Sequence, residues 1–196
     1  IKLYTIPVDG TFPEAMPFPQ GSAGEFSADG SRFAYNPLPA RVFRAWRRYR
    51  GGSAPYIWIF DTKTNEVAEV PREDSNDVYP YWLGDSIVFL SDRDRVMNLY
   101  RYTPGGSVEQ LTTYTGPDIK SYGTDGTKLV FEREGLLHVM DSADSEAHTI
   151  HVDIPDERLN IRPRYVDASK LIFSANISPT GKRAVFGARG EIVTVP

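Results

Sequence analysis

The sequence predicts an all-β fold: a β-propeller of four-stranded antiparallel blades, present as an incomplete fragment. Three observations carry that expectation. First, residues 78–112, VYPYWLGDSIVFLSDRDRVMNLYRYTPGGSVEQLT, contain four strand-length runs rich in aromatic and β-branched residues, at 78–82, 87–90, 99–102 and 108–111. Gly84-Asp85, Asp92-Arg93-Asp94 and Pro104-Gly105-Gly106 separate them; glycine supplies positive φ there and aspartate closes an Asx turn. Second, the first turn and second strand recur at 26–35 (FSADGSRFAY), 122–131 (YGTDGTKLVF) and 177–186 (ISPTGKRAVF), and the third strand recurs at 3–6, 57–60, 137–140 and 192–195. Third, Gly84 and Gly126 stand 42 residues apart, a spacing in the range of propeller blades. The intervals Gly30 to Gly84 and Gly126 to Gly181 are 54 and 55 residues, so extra chain is inserted at both places.

In order, residues 1–8 read as a third strand and 14–18 as a fourth, with no first or second strand before them. The next blade spans 26–70, and its second and third strands are joined by a long segment, 36–55. Val42, Phe43, Trp46 and Tyr49 fall there at roughly helical spacing, so a short helical turn is expected, ended by Gly51-Gly52. The blade at 78–112 follows. Another occupies 118–153, with strands near 119–122, 129–132, 137–140 and 149–152. Residues 154–170, interrupted by Pro155 and Pro163, read as a linker or crossover. Residues 171–195 restart the repeat and stop at a third strand. A chain that begins and stops mid-blade is expected to be a piece of a longer polypeptide, and its unpaired edges are expected to favour association.

The bulk numbers narrow the function classes. In 196 residues, 40% are hydrophobic and the net charge is −4 with interspersed signs. That composition supports a buried core and gives no basis for a nucleic-acid or anionic-membrane partner. No apolar run reaches membrane-spanning length, and Ile1-Lys2-Leu3-Tyr4 does not read as a signal peptide. The absence of cysteine removes disulfides, thiolate metal sites and cysteine nucleophiles, and fits a cytoplasmic protein.

Candidate chemistry is sparse. No Gly-x-Ser-x-Gly elbow occurs, and the Gly181-Lys182 pair lacks the glycine-rich cradle of a phosphate loop, so a tight blade turn is expected at 178–183. His138, His148 and His151 share one blade, and the last two face opposite sides of a strand, which builds no metal site. Asp92 and Asp94 have the alternate spacing of a hard-cation ligand pair, with a turn as the alternative. Nothing marks out Glu132, Glu134 or Asp141 as an acid and base. No catalytic residue, metal or cofactor is assigned. The sharpest signal is Arg41, Arg44, Arg47, Arg48 and Arg50, interleaved with Trp46 and Tyr49. Five guanidinium groups in an acidic chain suit the carboxylate terminus of a peptide, or an acidic face of a neighbouring domain or subunit. The competing expectation is an internal network with Glu73, Asp74 and Asp77.

These residues resemble a known family, the tricorn proteases and their bacterial homologues. The most selective match is Trp46-Arg47-Arg48-Tyr49-Arg50-Gly51-Gly52 followed by Ile57-Trp58-Ile59. Residues 87–94, 97–100, 162–164 and 178–184 support it. The general turn motif is shared with TolB-like and other WD40-like repeats; turns such as Leu83-Gly84-Asp85 depart from the usual Ser-Pro-Asp-Gly-Lys form. The resemblance implies that residues 1–158 are the later blades of a six-bladed propeller, and that 159–196 are a linker and the start of a second, seven-bladed one. Family members are self-compartmentalising serine peptidases that assemble as homo-oligomers, typically hexamers, and trim oligopeptides, with propellers acting as filters and channels. Their nucleophile, its histidine partner and the PDZ-like module lie in later domains, so none transfers to a position here. The rivals are a TolB-like non-enzymatic binding platform and the propeller lid of a prolyl-oligopeptidase-like enzyme.

Overall fold

The computed structural model describes residues 1–39, 48–155 and 161–196. The expected helical turn lies largely outside the described residues, as do Arg41, Arg44, Trp46 and Arg47. All regular structure among the described residues is β, in antiparallel sheets. The chain divides into two compact units, residues 1–152 and 153–196.

The first unit holds four sheets. β1 (Tyr4–Thr5) pairs with β2 (Glu14–Ala15). A second blade runs in order through β3 (Gly24–Phe26), β4 (Arg32–Tyr35), β5 (Trp58–Asp61) and β6 (Val67–Glu69). A third comprises β7 (Asp77–Leu83), β8 (Ser86–Ser91), β9 (Asn98–Tyr102) and β10 (Val108–Gln110). The fourth comprises β11 (Ile119–Thr124), β12 (Leu129–Arg133), β13 (Leu136–Met140) and β14 (His148–Ile150). Each is a simple meander, as the spacing of turns predicts. β1 and β2 are shorter than their sequence segments. The chain turns at Pro7, where the Gly10 amide bonds the Pro7 carbonyl at 3.0 Å, and Pro17 and Pro19 bring no N–H to a ladder.

β8 explains how the blades stack. Its Ile-Val-Phe-Leu run has no polar face, because successive side chains point to opposite sides of the sheet and both sides are covered. Ile87 and Phe89 pack with Ala34, Ile59 and Trp82 toward the second blade. Val88 and Leu90 pack with Ile119, Leu129 and Phe131 toward the fourth. A third apolar cluster, Met16, Phe18, Phe33, Tyr35 and Phe60, joins the second blade to the chain that follows β2.

The first strands of successive blades are neighbours. The Trp82 amide and indole N–H donate to the Glu25 carboxylate (2.7 Å) and carbonyl (3.1 Å), fastening β7 to β3. From the other side the Tyr122 hydroxyl meets the carbonyls of Tyr79 (2.5 Å) and Val88 (2.6 Å), fastening β11 to the third blade. β7 carries a bulge between Val78 and Tyr81, where Tyr79 adopts φ 56° ahead of Pro80. The Tyr79 amide is received by the Asn36 side-chain oxygen at 3.0 Å. An interblade bond thus serves a backbone group that the bulge takes out of the ladder.

The second unit holds one three-stranded sheet of β15 (Ile172–Ile177), β16 (Ala184–Ala188) and β17 (Glu191–Val195). The turn that joins β15 to β16 contains Gly181 and Lys182 and is tight: the Gly181 amide bonds the Ser178 carbonyl at 2.8 Å. It has the expected form of a blade turn. Among the described residues no helix is long and apolar enough to cross a membrane.

Candidate functional site

A meander places its turns alternately at two ends of the blade. One end of the first unit carries short turns. The other carries the segment between β4 and β5, the crossover into β7 and the turn between β8 and β9, and there the polar side chains converge.

Asp92 is at the centre. It follows β8, is only 3% exposed, and accepts at both carboxylate oxygens. The Asn76 amide donates to Oδ1 at 2.8 Å, and Oδ2 receives the Asn76 side-chain amide and Arg50 Nη1, each at 2.9 Å. Arg50 Nη2 adds a bond to the Asp92 carbonyl at 3.1 Å. Asn76, 6% exposed, also donates from Nδ2 to the Tyr49 carbonyl at 2.9 Å. Asp74 lies 4.0 Å from Arg50 Nε and is largely solvent-exposed, so it adds little.

A second charge pair lies beside the first. Asp77, almost completely buried, accepts from Arg93 Nη2 at 3.1 Å and from the Ser75 hydroxyl at 3.0 Å. Burial pushes the Asp77 carboxyl above its ordinary range, against the opposing pull of the Arg93 charge. The Arg93 guanidinium lies over the rings of Tyr100 and Phe89, 4.9 and 5.5 Å from their centroids. Burial, reinforced by the hydrogen bond to Asp94, raises the Tyr100 phenol; that bond is 2.7 Å. Asn36 Nδ2 meets the carbonyls of Tyr56 and Asp77 at 2.7 and 2.9 Å. Residues 75–77 thus knot together the end of β4, the end of the arginine-rich segment and the turn after β8.

Arg48 differs from Arg50. It is exposed, adopts φ 59°, and donates from Nε to the carbonyl of Arg95, itself at φ 70°. Its η nitrogens make no hydrogen bond or ion pair with the described residues. Of the sequence-selected residues, the structure therefore brings Tyr49 and Arg50 into the knot and leaves Arg48 at its rim.

The internal network anticipated for the arginines exists in part: Arg50 reaches the anticipated Asp74 at 4.0 Å, but its close partner at 2.9 Å is Asp92, singled out in the sequence for its carboxylate spacing. Asp94 goes to Tyr100 rather than to a shared cation site. Among the described residues no group of three or more His, Cys, Asp or Glu gathers to hold a metal ion. Glu134 and Asp141 lie beside Arg133 and Lys128, at 3.1 and 2.7 Å. Asn36 and Asn76 escaped sequence reasoning. One signal could have found their like, since bonded pairs are separated by 41 residues (Asn36 and Asp77), 42 (Arg50 and Asp92) and 43 (Asn36 and Tyr79; Tyr122 and Tyr79). These separations are close to the 42 residues between Gly84 and Gly126, although Glu25 and Trp82, which also bond between blades, stand 57 apart.

Comparison with known proteins supplies the wider context. Residues 1–146 match the family described as the Tricorn protease N-terminal beta propeller domain. Tricorn protease homolog 1 of Streptomyces coelicolor is 28% identical over 190 residues, covering 95% of this chain and 18% of that protein. The tricorn protease of Thermoplasma acidophilum is 24% identical over 151 residues, 74% of this chain and 13% of that protein. The chain thus spans less than a fifth of the length of these relatives. A crystal structure of the tricorn protease superposes with a TM-score of 0.69 at 21% identity, over 98% of this chain and 18% of that one. A putative TolB from Agrobacterium tumefaciens gives 0.60 at 19% identity, over 74% and 55%. At these identities the structural likenesses speak to the fold alone.

Proposed function

This chain belongs to the family of the tricorn protease N-terminal beta propeller domain, and we propose that it is part of a self-compartmentalising serine peptidase that trims oligopeptides. Its blades shape the passage of substrate or product and contact neighbouring domains. In this reading residues 1–158 are later blades of a six-bladed propeller, and 159–196 link to and open a second. The partners are oligopeptides, the peptidase and PDZ-like domains of the parent chain, and further copies in a hexamer-like homo-oligomer in the cytoplasm. No cofactor is required of this region.

The observation that carries the reading is the different use of Arg48 and Arg50. Arg50 spends its guanidinium on Asp92 and the Tyr49 carbonyl. Arg48 anchors through Nε, and its η nitrogens make no described bond within the chain. A guanidinium anchored through Nε, with η donors not engaged by the described residues, matches a planar carboxylate. The terminal carboxylate of a peptide is the group that every oligopeptide offers regardless of sequence.

The test uses the full-length protein and matched peptides with free or amidated C-termini. Arg48→Glu is expected to raise KM for the free acids about tenfold or more and to leave the amides within about twofold. Equal effects on both series would overturn the carboxylate assignment. A full-length protein that binds but cleaves no peptide would replace the peptidase with a TolB-like binding platform.

A further inference from the structure

We propose that Asp92 and Asn76 are positioning residues: a clasp through which the third blade, not the blade that carries it, sets where Arg48 stands. The inference rests on the reading of Arg48 as a carboxylate contact and names what holds it in place.

The segment joins β4 to β5 within the second blade, yet its described end is fastened to the third. Residues 48–50 make four bonds across. Asn76 Nδ2 holds the Tyr49 carbonyl, Arg50 uses both η nitrogens on Asp92, and Arg48 Nε reaches the Arg95 carbonyl. Within the second blade, residues 48–54 also make short-range bonds: Arg50 Nη1 to the Tyr49 carbonyl at 3.0 Å, and the Ala54 amide to the Gly51 carbonyl at 2.9 Å.

Backbone strain falls at the same spot. Arg48 and Arg95 are both left-handed, a conformation that costs a non-glycine residue free energy and persists only where the surroundings over-determine it. The Arg95 amide donates to the Asp92 carbonyl at 2.8 Å. That carbonyl also receives Arg50 Nη2. One residue, Asp92, therefore holds both strained arginines, Arg95 through its carbonyl and Arg48 through the neighbouring Arg50. Because Asp92 and Asn76 are buried, their bonds to Arg50 and Tyr49 are shielded from competing water and from salt.

Asp92→Asn keeps an oxygen for the Asn76 amide and removes the charge that Arg50 needs. Asn76→Ala removes the hold on Tyr49 while leaving Asp92 and Arg50 paired. In the full-length protein, each is expected to speed amide hydrogen exchange at residues 48–52 about tenfold or more while β8 and β9 keep their protection. Each is also expected to raise KM for free-acid peptides about tenfold with little change in kcat, since a misplacement of about 1 Å can cost roughly a hundredfold. Arg50→Lys keeps the charge but loses the fork, and is expected to fall between wild type and Asp92→Asn.

Unchanged exchange at 48–52 in both Asp92→Asn and Asn76→Ala would overturn the clasp. So would loss of protection spread through β8 and β9, which would make these residues structural only. If residues 48–52 loosen while KM stays put both there and in Arg48→Glu, the clasp stands and the carboxylate reading falls.

Discussion

Two copies of one turn, at residues 27–32 and 178–183, have nearly the same geometry in very different surroundings. In each a serine amide bonds the arginine carbonyl five residues on at 2.8 Å, and the glycine amide bonds the serine carbonyl at 2.8 Å. In each the arginine amide returns to the serine hydroxyl, at 3.0 and 3.1 Å, and the glycine stands at φ 69° or 68°. The strands they serve do not match. Phe33, Ala34 and Tyr35 of β4 are buried, whereas its counterpart β16 is buried only at Gly187 and Ala188 and its neighbours β15 and β17 are exposed throughout. A turn is closed by its own six residues, but burial is conferred by neighbouring blades.

The largest test of that division sets an interior ring against an exposed one. Phe89, fully buried in β8, is expected to cost about 3–5 kcal/mol on replacement by alanine. Phe173 in β15 is 73% exposed in these 196 residues, and in a protein of that extent its alanine variant should stay within about 0.5 kcal/mol. Chemical denaturation followed by circular dichroism measures both. Equal losses would mean that the β15 sheet has a core of its own and would break the comparison.

The same division explains what was legible in the sequence. The strands of the third blade, its turns and the Ser178–Arg183 turn are local features, written in alternation, glycine placement and Asx chemistry. The sequence marked the arginine-rich segment as exceptional but could not say which arginine is spent internally. That depends on Asp92, which lies 42 residues from Arg50 and carries the composition of an ordinary turn. Asn36 and Asn76 gave no local signal at all, because an asparagine that ties two blades looks like one that caps a loop. β8 read as a strand, but the two faces of its apolar run became intelligible only once a blade was seen on each side.

A smaller effect sharpens the comparison. A Cβ built at Gly30 or Gly181 meets nothing within 4 Å, so alanine at either position is opposed by the left-handed backbone alone. Each is expected to cost about 1 kcal/mol, equally in both turns despite their different strands. Thermal or chemical unfolding of Gly30→Ala and Gly181→Ala would show it. A markedly larger loss at Gly30 would mean that burial of the following strand does strain the turn.

The smallest expected effect comes from the polar group at the third position of the turn. At the third position of the turn Asp29 accepts the Ser27 and Ser31 hydroxyls, both at 2.7 Å, and the Ser31 amide at 3.1 Å; Thr180, in the same place, meets only the Ser178 hydroxyl at 3.3 Å. The hydroxyl of Ser27, then the hydroxyl and amide of Ser31, hold the Asp29 carboxyl well below the usual carboxylate range. A folded-state value depressed below the unfolded one gives a contribution that is whole above the unfolded pKa, near 4, and is lost as pH falls through the folded value. The Ser31 amide resonance should therefore stay constant through the ordinary carboxylate range and move only in stronger acid, while the equivalent Lys182 amide, with no carboxylate in its turn, should not follow it. Asp29→Asn, which retains an acceptor and loses the proton equilibrium, should abolish the Ser31 titration. A Ser31 resonance that titrates near pH 4 would show that the two serines leave Asp29 unperturbed, and the turns would then be held by the same backbone bonds with no contribution from their third residue.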